Sequence, residues 1–272
     1  EHLRKARRRR NLEVRTKSLA TRLTFEGKRA SGVRYLRGGI EHSVTARRQV
    51  ILCGGAINTP QLLQLSGVGD GVRLTASTQT AERAYASNQG AAQMQVRAIV
   101  GAGARLDWLP QETILYQASN LHRRTEIDLA ETATCLTCES LVLGRAAMGE
   151  TLTSARLHDH RMIRRAGRPV WSETFLIDDA VLARRDSAAL LAGAQALGLV
   201  ALVAQGAEDA AAQLLALPSV AGARLSASGW DGRCLVRVLA PDGLTLRKQM
   251  AQVIKTLSAR PVPRVWLSGG TL

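Results

Sequence analysis

The first seventy residues alternate between apolar and polar positions as strands do. Leu12, Val14 and the stretch Leu19 to Phe25 lead into a turn at Glu26-Gly27-Lys28, and a second strand follows around Val33 and Tyr35 before Gly38-Gly39. Gln49 to Cys53 reads as a short continuous apolar run, the pattern of a strand buried on both faces. Beyond Gly54-Gly55, Asn58-Thr59-Pro60 predicts a helix over Gln61 to Leu65, with Thr59 as its N-cap and Pro60 in its first turn. Gly67 and Gly69 end it.

After residue 70 the pattern changes to short alternating stretches separated by small residues. They run over Leu74 to Thr80, Gln95 to Val100, Arg105 to Leu109, Thr125 to Leu129, Leu136 to Leu143, Ala155 to Arg164 and Pro169 to Ile177. Gly101-Ala102-Gly103 is a turn, and Ala166-Gly167-Arg168 and Trp230-Asp231-Gly232 are hairpin signals. Strands at this spacing, with no helices between them, predict an antiparallel body. Helical periodicity is confined to Glu208 to Leu217, stopped by Pro218, and to Leu244 to Ser258, stopped before Pro261. The longest apolar stretch, Ala188 to Ala204, falls short of a membrane span and reads as a buried strand or helix.

Composition narrows the class. With 46% hydrophobic and 22% charged residues the chain is too apolar to be disordered, and with 3% aromatics its core rests on Ala, Leu and Val. The net charge of +15 invites a nucleic-acid reading, yet residues 1–50 hold 15 Lys/Arg against 4 Asp/Glu and carry most of it. The excess is therefore a basic N-terminal arm, without the aromatics that stack bases, and no nucleic-acid partner is expected. Four cysteines form no disulfide framework, and the opening residues do not read as a signal peptide, so a cytoplasmic, reducing setting is expected.

Few motifs carry chemistry. No Walker A loop, HExxH, GxSxG or complete GxGxxG is present. Cys135-Leu136-Thr137-Cys138 is a lone CxxC whose thiols, in a strand, point to opposite faces. His158 and His160 share one face of a strand, which suits a transition metal or simply an exposed histidine pair, with Asp159 on the other face. Glu112, Glu139 and Glu173 sit among apolar neighbours in expected strands, so each needs an arginine partner, a hydrated cavity or an ion.

Two resemblances follow from particular stretches. Arg9 to Asp70, through RRNLEVRTKSLATRLTFEGKRASGVRYLRGG and VTARRQVILCGGAINTPQLLQLSGVG, resembles an internal piece of the glucose–methanol–choline (GMC) oxidoreductases. That family binds FAD through a glycine-rich βαβ unit and oxidises alcohols with a C-terminal histidine. Neither lies in this stretch, so the resemblance implies an inactive fragment without an intact FAD site. From about Gly71 to Leu267 the chain resembles the UreD (UreH) urease accessory family, through LTASTQTAERAY, VGAGARLDWLPQETILY, LVLGRAAMGE, RRAGRPVWSETF and RPVPRVWLS. The family's first strands, including a Gly-rich segment, are missing from the match.

This second resemblance implies a mainly β fold: an elongated helical stack of antiparallel β-sheets with two C-terminal helices, preceded by a small α/β-type fragment. The domains would be 1–70 and 71–272. It implies a non-enzymatic scaffold for nickel insertion into apo-urease, working with the accessory proteins UreF and UreG. Nickel would be transient cargo passed through an internal tunnel. Glu139 and Glu173 fall where the family places acidic tunnel residues, Glu82 falls at another polar tunnel position, and His158 and His160 are weaker metal candidates. A flavin-dependent alcohol oxidoreductase is the alternative reading, carried by residues 9–70 alone.

Overall fold

The structure, a computed structural model of the 272-residue chain, describes residues 11–27, 29–53, 59, 62–63, 66, 73–258 and 261–267. It divides into two compact units, Glu1–Val68 and Gly69–Leu272.

The first unit holds an antiparallel meander of β1 (Leu19–Glu26), β2 (Arg29–Arg37) and β3 (Ile40–Thr45). Gly38 and Gly39 turn the chain between β2 and β3 with φ of 60° and 81°, a conformation that a Cβ disfavours. Leu23 and Tyr35 are buried, and the Ser66 hydroxyl accepts the Leu23 amide at 2.6 Å. The edge strand β3 did not stand out in the sequence, and all six of its residues are exposed. Two expectations need correction. Leu12 and Val14 precede the first strand, and Gln49 to Cys53 is not a strand: Ile51 is 71% exposed and Cys53 is exposed. An apolar run becomes a doubly buried strand only where neighbours flank it, and among the described residues none pairs with it. Thr59 is itself helical, as are Leu62 and Leu63; the remaining helix residues and the glycines at 54, 55, 67 and 69 lie outside the described residues.

The second unit is mainly β, as expected, but the pairing of its sheets differs. Three successive passes climb in register: β4 (Arg73–Ala76), β5 (Glu82–Ala84) and β6 (Ala92–Val100); then β7 (Arg105–Trp108), β8 (Thr113–Leu115) and β9 (Ser119–Leu129); then β10 (Thr134–Leu143) and β11 (Ala155–Arg165). β4, β7 and the start of β10 pair in parallel, as do β5, β8 and the end of β10, and β6, β9 and β11. The antiparallel expectation for this region is overturned. A parallel pair needs a crossover of a dozen residues or more. Here each crossover runs through strands, at least one of them in the opposing sheet, so no helix is needed and helical periodicity gives no warning.

Antiparallel pairing takes over afterwards. β12 (Arg168–Ile177) folds back on β11 through Ala166 and Gly167, both at positive φ, as a two-residue hairpin of this kind requires. β13 (Ala196–Val203) pairs with β10, then β15 (Arg233–Ala240) with β13 and β14 (Arg224–Trp230) with β15. The result is one sheet ordered β14-β15-β13-β10-β7-β4, carrying β8 and β5 beside it, and another ordered β12-β11-β9-β6. The apolar stretch near residue 200 is the fully flanked β13.

Helices α2 (Ala210–Leu215) and α3 (Gly243–Leu257) fall where periodicity places them; the short α1 (Asp179–Ala183) and α4 (Arg264–Leu267) were not anticipated. Asp242 caps α3 by accepting the Thr245 amide at 2.8 Å. Its inner face puts Leu246, Met250 and Ile254 against Leu136, Cys138, Val200 and Val236. Gly198 makes room for this contact, since a Cβ there would lie 2.6 Å from the Met250 sulfur. Among the described residues no helix is long and apolar enough to cross a membrane.

Candidate functional site

The strand period of two builds the site. On β10, even positions face α3, while odd positions face the second sheet. Cys135 enters one apolar cluster with Ile127, Ile163 and Trp171, and Leu141 and Leu143 enter another with Leu157 and Ile177. Between these clusters the inward positions turn polar on three strands: Thr137 and Glu139 on β10, Arg123 and Thr125 on β9, Asp159 and Arg161 on β11. Most of this layer is under 8% exposed. In a small-residue, aromatic-poor interior it is the main departure from apolar packing.

Arg123 organises the layer. Its guanidinium donates to Asp159 at 3.0 and 2.6 Å, to the Thr113 hydroxyl at 3.0 Å, and pairs with Glu139 at 2.7 Å. Arg161 also donates to Asp159. Two buried cations thus meet two buried carboxylates, which is the condition under which charges survive in low dielectric. The carboxylates are nevertheless unequal. Burial pushes Asp159 up, but hydrogen bonding to Arg123 and the charges of Arg123 and Arg161 outweigh it, so Asp159 sits below its ordinary range. For Glu139 burial is the largest effect and the Asp159 charge adds to it; Arg123 pulls the other way but does not prevail, and the carboxyl is raised. Glu139 is the more weakly held of the two.

Beside Glu139 lies a cavity lined also by Thr125, Thr137, Arg161, Trp171 and Leu199, with about 10 Å³ for the centre of a water-sized molecule. The hydroxyl of Thr137 and Nε of Arg161 find no hydrogen-bond partner among the described residues, and the Thr125 hydroxyl interacts with Glu139. Ile127, Met162 and Ile163 complete a largely apolar wall, and a water held there would rest on the few buried polar atoms that reach it.

The other expected residues are placed as follows. Glu173 is in register with Arg161, is 20% exposed at its side chain, and pairs with Arg237 of β15 at 3.1 Å. It stands where the layer reaches solvent. Glu82 is exposed on the short β5, in register with Thr113, and so borders the layer from the sheet edge. Glu112 is drawn to Arg247 of α3 at 3.3 Å, away from the layer. His158 is exposed and His160 half-buried on the outer face of β11, and the His160 ring lies 3.1 Å from the Thr174 hydroxyl. Cys135 and Cys138 enter different apolar clusters on opposite faces of β10, and burial pushes both thiols up. Among the described residues no three or more His, Cys, Asp and Glu side chains are grouped to hold a metal ion.

Arg123 and Arg161 were missed in the sequence, and Asp159 was seen only as facing away from the histidines. Their signal was present: along Leu121-Arg123-Thr125-Ile127 and Leu157-Asp159-Arg161-Ile163 the inward positions break from apolar to charged and return.

Comparison with known proteins adds sequence kinship. The family model described as UreD urease accessory protein matches residues 53–267. One described as GMC oxidoreductase matches residues 1–102, and the two overlap. A urease accessory protein UreD from Cereibacter sphaeroides (strain ATCC 17025 / ATH 2.4.3) is 52% identical over 213 residues, 78% of each chain. Its counterpart from Paracoccus denitrificans is 44% identical over 194 residues, 70% of this chain and 68% of that one. The one from Dinoroseobacter shibae is 42% identical over 214 residues, 78% and 75% of the two chains.

Proposed function

The chain belongs to the UreD urease accessory protein family, and from that premise we propose that it matures urease as a binding scaffold that hands nickel to the apo-enzyme without catalysing a reaction. Its partners are urease subunits and further accessory proteins of the UreF and UreG kinds, and its setting is the cytoplasm.

The buried polar layer carries this reading. An ion in transit needs oxygen donors that hold it weakly, in a place where water can accompany it. Glu139 offers a carboxylate with a raised pKa, beside a small cavity bordered by the unpaired Thr137 hydroxyl and Arg161 Nε. Glu173 stands on the neighbouring strand system where solvent begins, joined through Arg161 in register. Glu82 borders the same layer from its edge. In this reading the arginines hold the carboxylates between passages, and an incoming divalent cation displaces the Arg123 contact to Glu139 while Asp159 retains the guanidinium. His158 and His160 are poorer conduit residues, because imidazole holds nickel more tightly than carboxylate oxygen.

The flavoenzyme alternative is not favoured. Its family model covers 102 of 272 residues, and the described part of that stretch up to Thr45 forms a simple antiparallel meander. The test is reconstitution: apo-urease, nickel, the other accessory proteins and this chain are combined, and urea hydrolysis is measured. Activation that depends on the chain supports the proposal. Activation that is equal without it, or flavin absorbance with alcohol oxidation by the purified chain, overturns it.

A further inference from the structure

On the outer face of the β12-β11-β9-β6 sheet, away from the polar layer, the parallel register aligns Gln93, His122 and His158 in one row, which the antiparallel β12 extends to Leu176. His122 and His158 are both exposed, on adjacent strands. Their ring centroids are 5.6 Å apart with planes at 82°. From this geometry we propose that His122 and His158 form a two-histidine binding site for a borderline divalent transition-metal ion, independent of the buried layer and of its proposed role.

The spacing is what a shared ion needs. With metal–nitrogen bonds of about 2.1 Å and ring centres about 1.2 Å behind the ligating nitrogens, two imidazoles at a tetrahedral angle have centroids about 5.4 Å apart. The rings therefore meet the ion through side-chain rotation alone, without strand movement. The Gln93 amide lies 3.5 Å from Nδ1 of His122, which leaves Nε2 of that ring free to ligate. Exposure lets water complete the shell, as open sites on nickel, zinc or copper require. His160, the neighbour two residues along β11, is turned to Thr174 and is not a ligand here. Arg124 and Arg156 flank the row on the same face, and Arg124 pairs with Glu126 at 3.1 Å. Those cations keep the affinity modest and the ion exchangeable.

The test uses the full chain, stripped with chelator, titrated with nickel chloride alone and followed by calorimetry. Wild type should show a binding component that weakens at least tenfold in His122→Ala and in His158→Ala. It should persist in His160→Ala. With copper(II), nitrogen hyperfine structure in the paramagnetic resonance spectrum should decrease in the same two variants. Far-ultraviolet dichroism should be unchanged, since both side chains are exposed; the His122→Gln/His158→Gln pair provides a second, polar replacement. Absence of nickel binding in wild type, unchanged affinity in either histidine variant, or an equal loss in His160→Ala overturns the site.

Discussion

Replacing Arg123 with alanine tests whether the polar layer is held as described. The guanidinium, 2% exposed, satisfies both oxygens of Asp159, one oxygen of Glu139 and the Thr113 hydroxyl. Its removal leaves Glu139 without its ion-pair partner, and Arg161 as the one cation acting on both carboxylates. Breaking a buried ion pair by deleting one partner costs about 3–5 kcal/mol, and with two carboxylates affected the upper end applies. A domain has about 5–15 kcal/mol in total, so the loss is a large share of it. Urea unfolding can be followed by tryptophan fluorescence, because Trp108, Trp171, Trp230 and Trp266 all lie in the second unit. Arg123→Lys, which keeps the charge but not the fork, should lose about 2 kcal/mol and remain measurable if the alanine variant does not fold. The pH dependence separates charge from packing. In wild type Asp159 is held below its ordinary range, so it contributes stability at neutral pH that is lost as pH falls through that range. Glu139 is raised and acts in the opposite sense, with stability lost as pH rises. Without Arg123 both carboxyls move up and can be neutralised by protons. The gap between wild type and variant should therefore be widest at neutral to alkaline pH and shrink on acidification. A penalty below about 1 kcal/mol, under the range for a buried pair, or a gap that ignores pH, would refute the account.

Other outcomes follow from single sites. Asp242→Ala should destabilise by about 1 kcal/mol through loss of the α3 cap; the Asp242 carboxyl is lowered chiefly by the Thr245 amide, so its contribution should vanish as pH falls through the ordinary carboxylate range. Ellman titration of the native chain should find one rapidly reacting thiol, the exposed Cys53, with Cys135, Cys138 and Cys234 appearing only on unfolding; rapid reaction of more than one contradicts the packing of β10 and β15.

Local signals were legible and non-local ones were not. The hairpins at Ala166-Gly167 and Asp231-Gly232 and the long C-terminal helix are set by neighbours in sequence, and all were readable from turn residues and periodicity, whereas the apolar stretch near residue 200 left strand and helix open. The parallel ladder β6-β9-β11 is set by partners some thirty residues apart, and alternation looks the same in either direction. Gln49 to Cys53 misled because an apolar run does not reveal whether flanking strands exist. At the site, Glu139 and Glu173 stood out as carboxylates among apolar residues. Their arginines did not, because Arg123 and Asp159 are 36 positions apart and only the solenoid register brings them together.

The most direct measurement of the central claim is the nickel content and activity of urease matured with a Glu139→Gln/Glu173→Gln chain. These replacements keep shape and hydrogen bonding while removing both carboxylate charges. The account predicts that the variant folds, still co-purifies with its partners, and delivers severalfold less nickel than wild type, with urease activity falling in proportion. Full nickel incorporation and full activity with that variant would contradict the route through the polar layer.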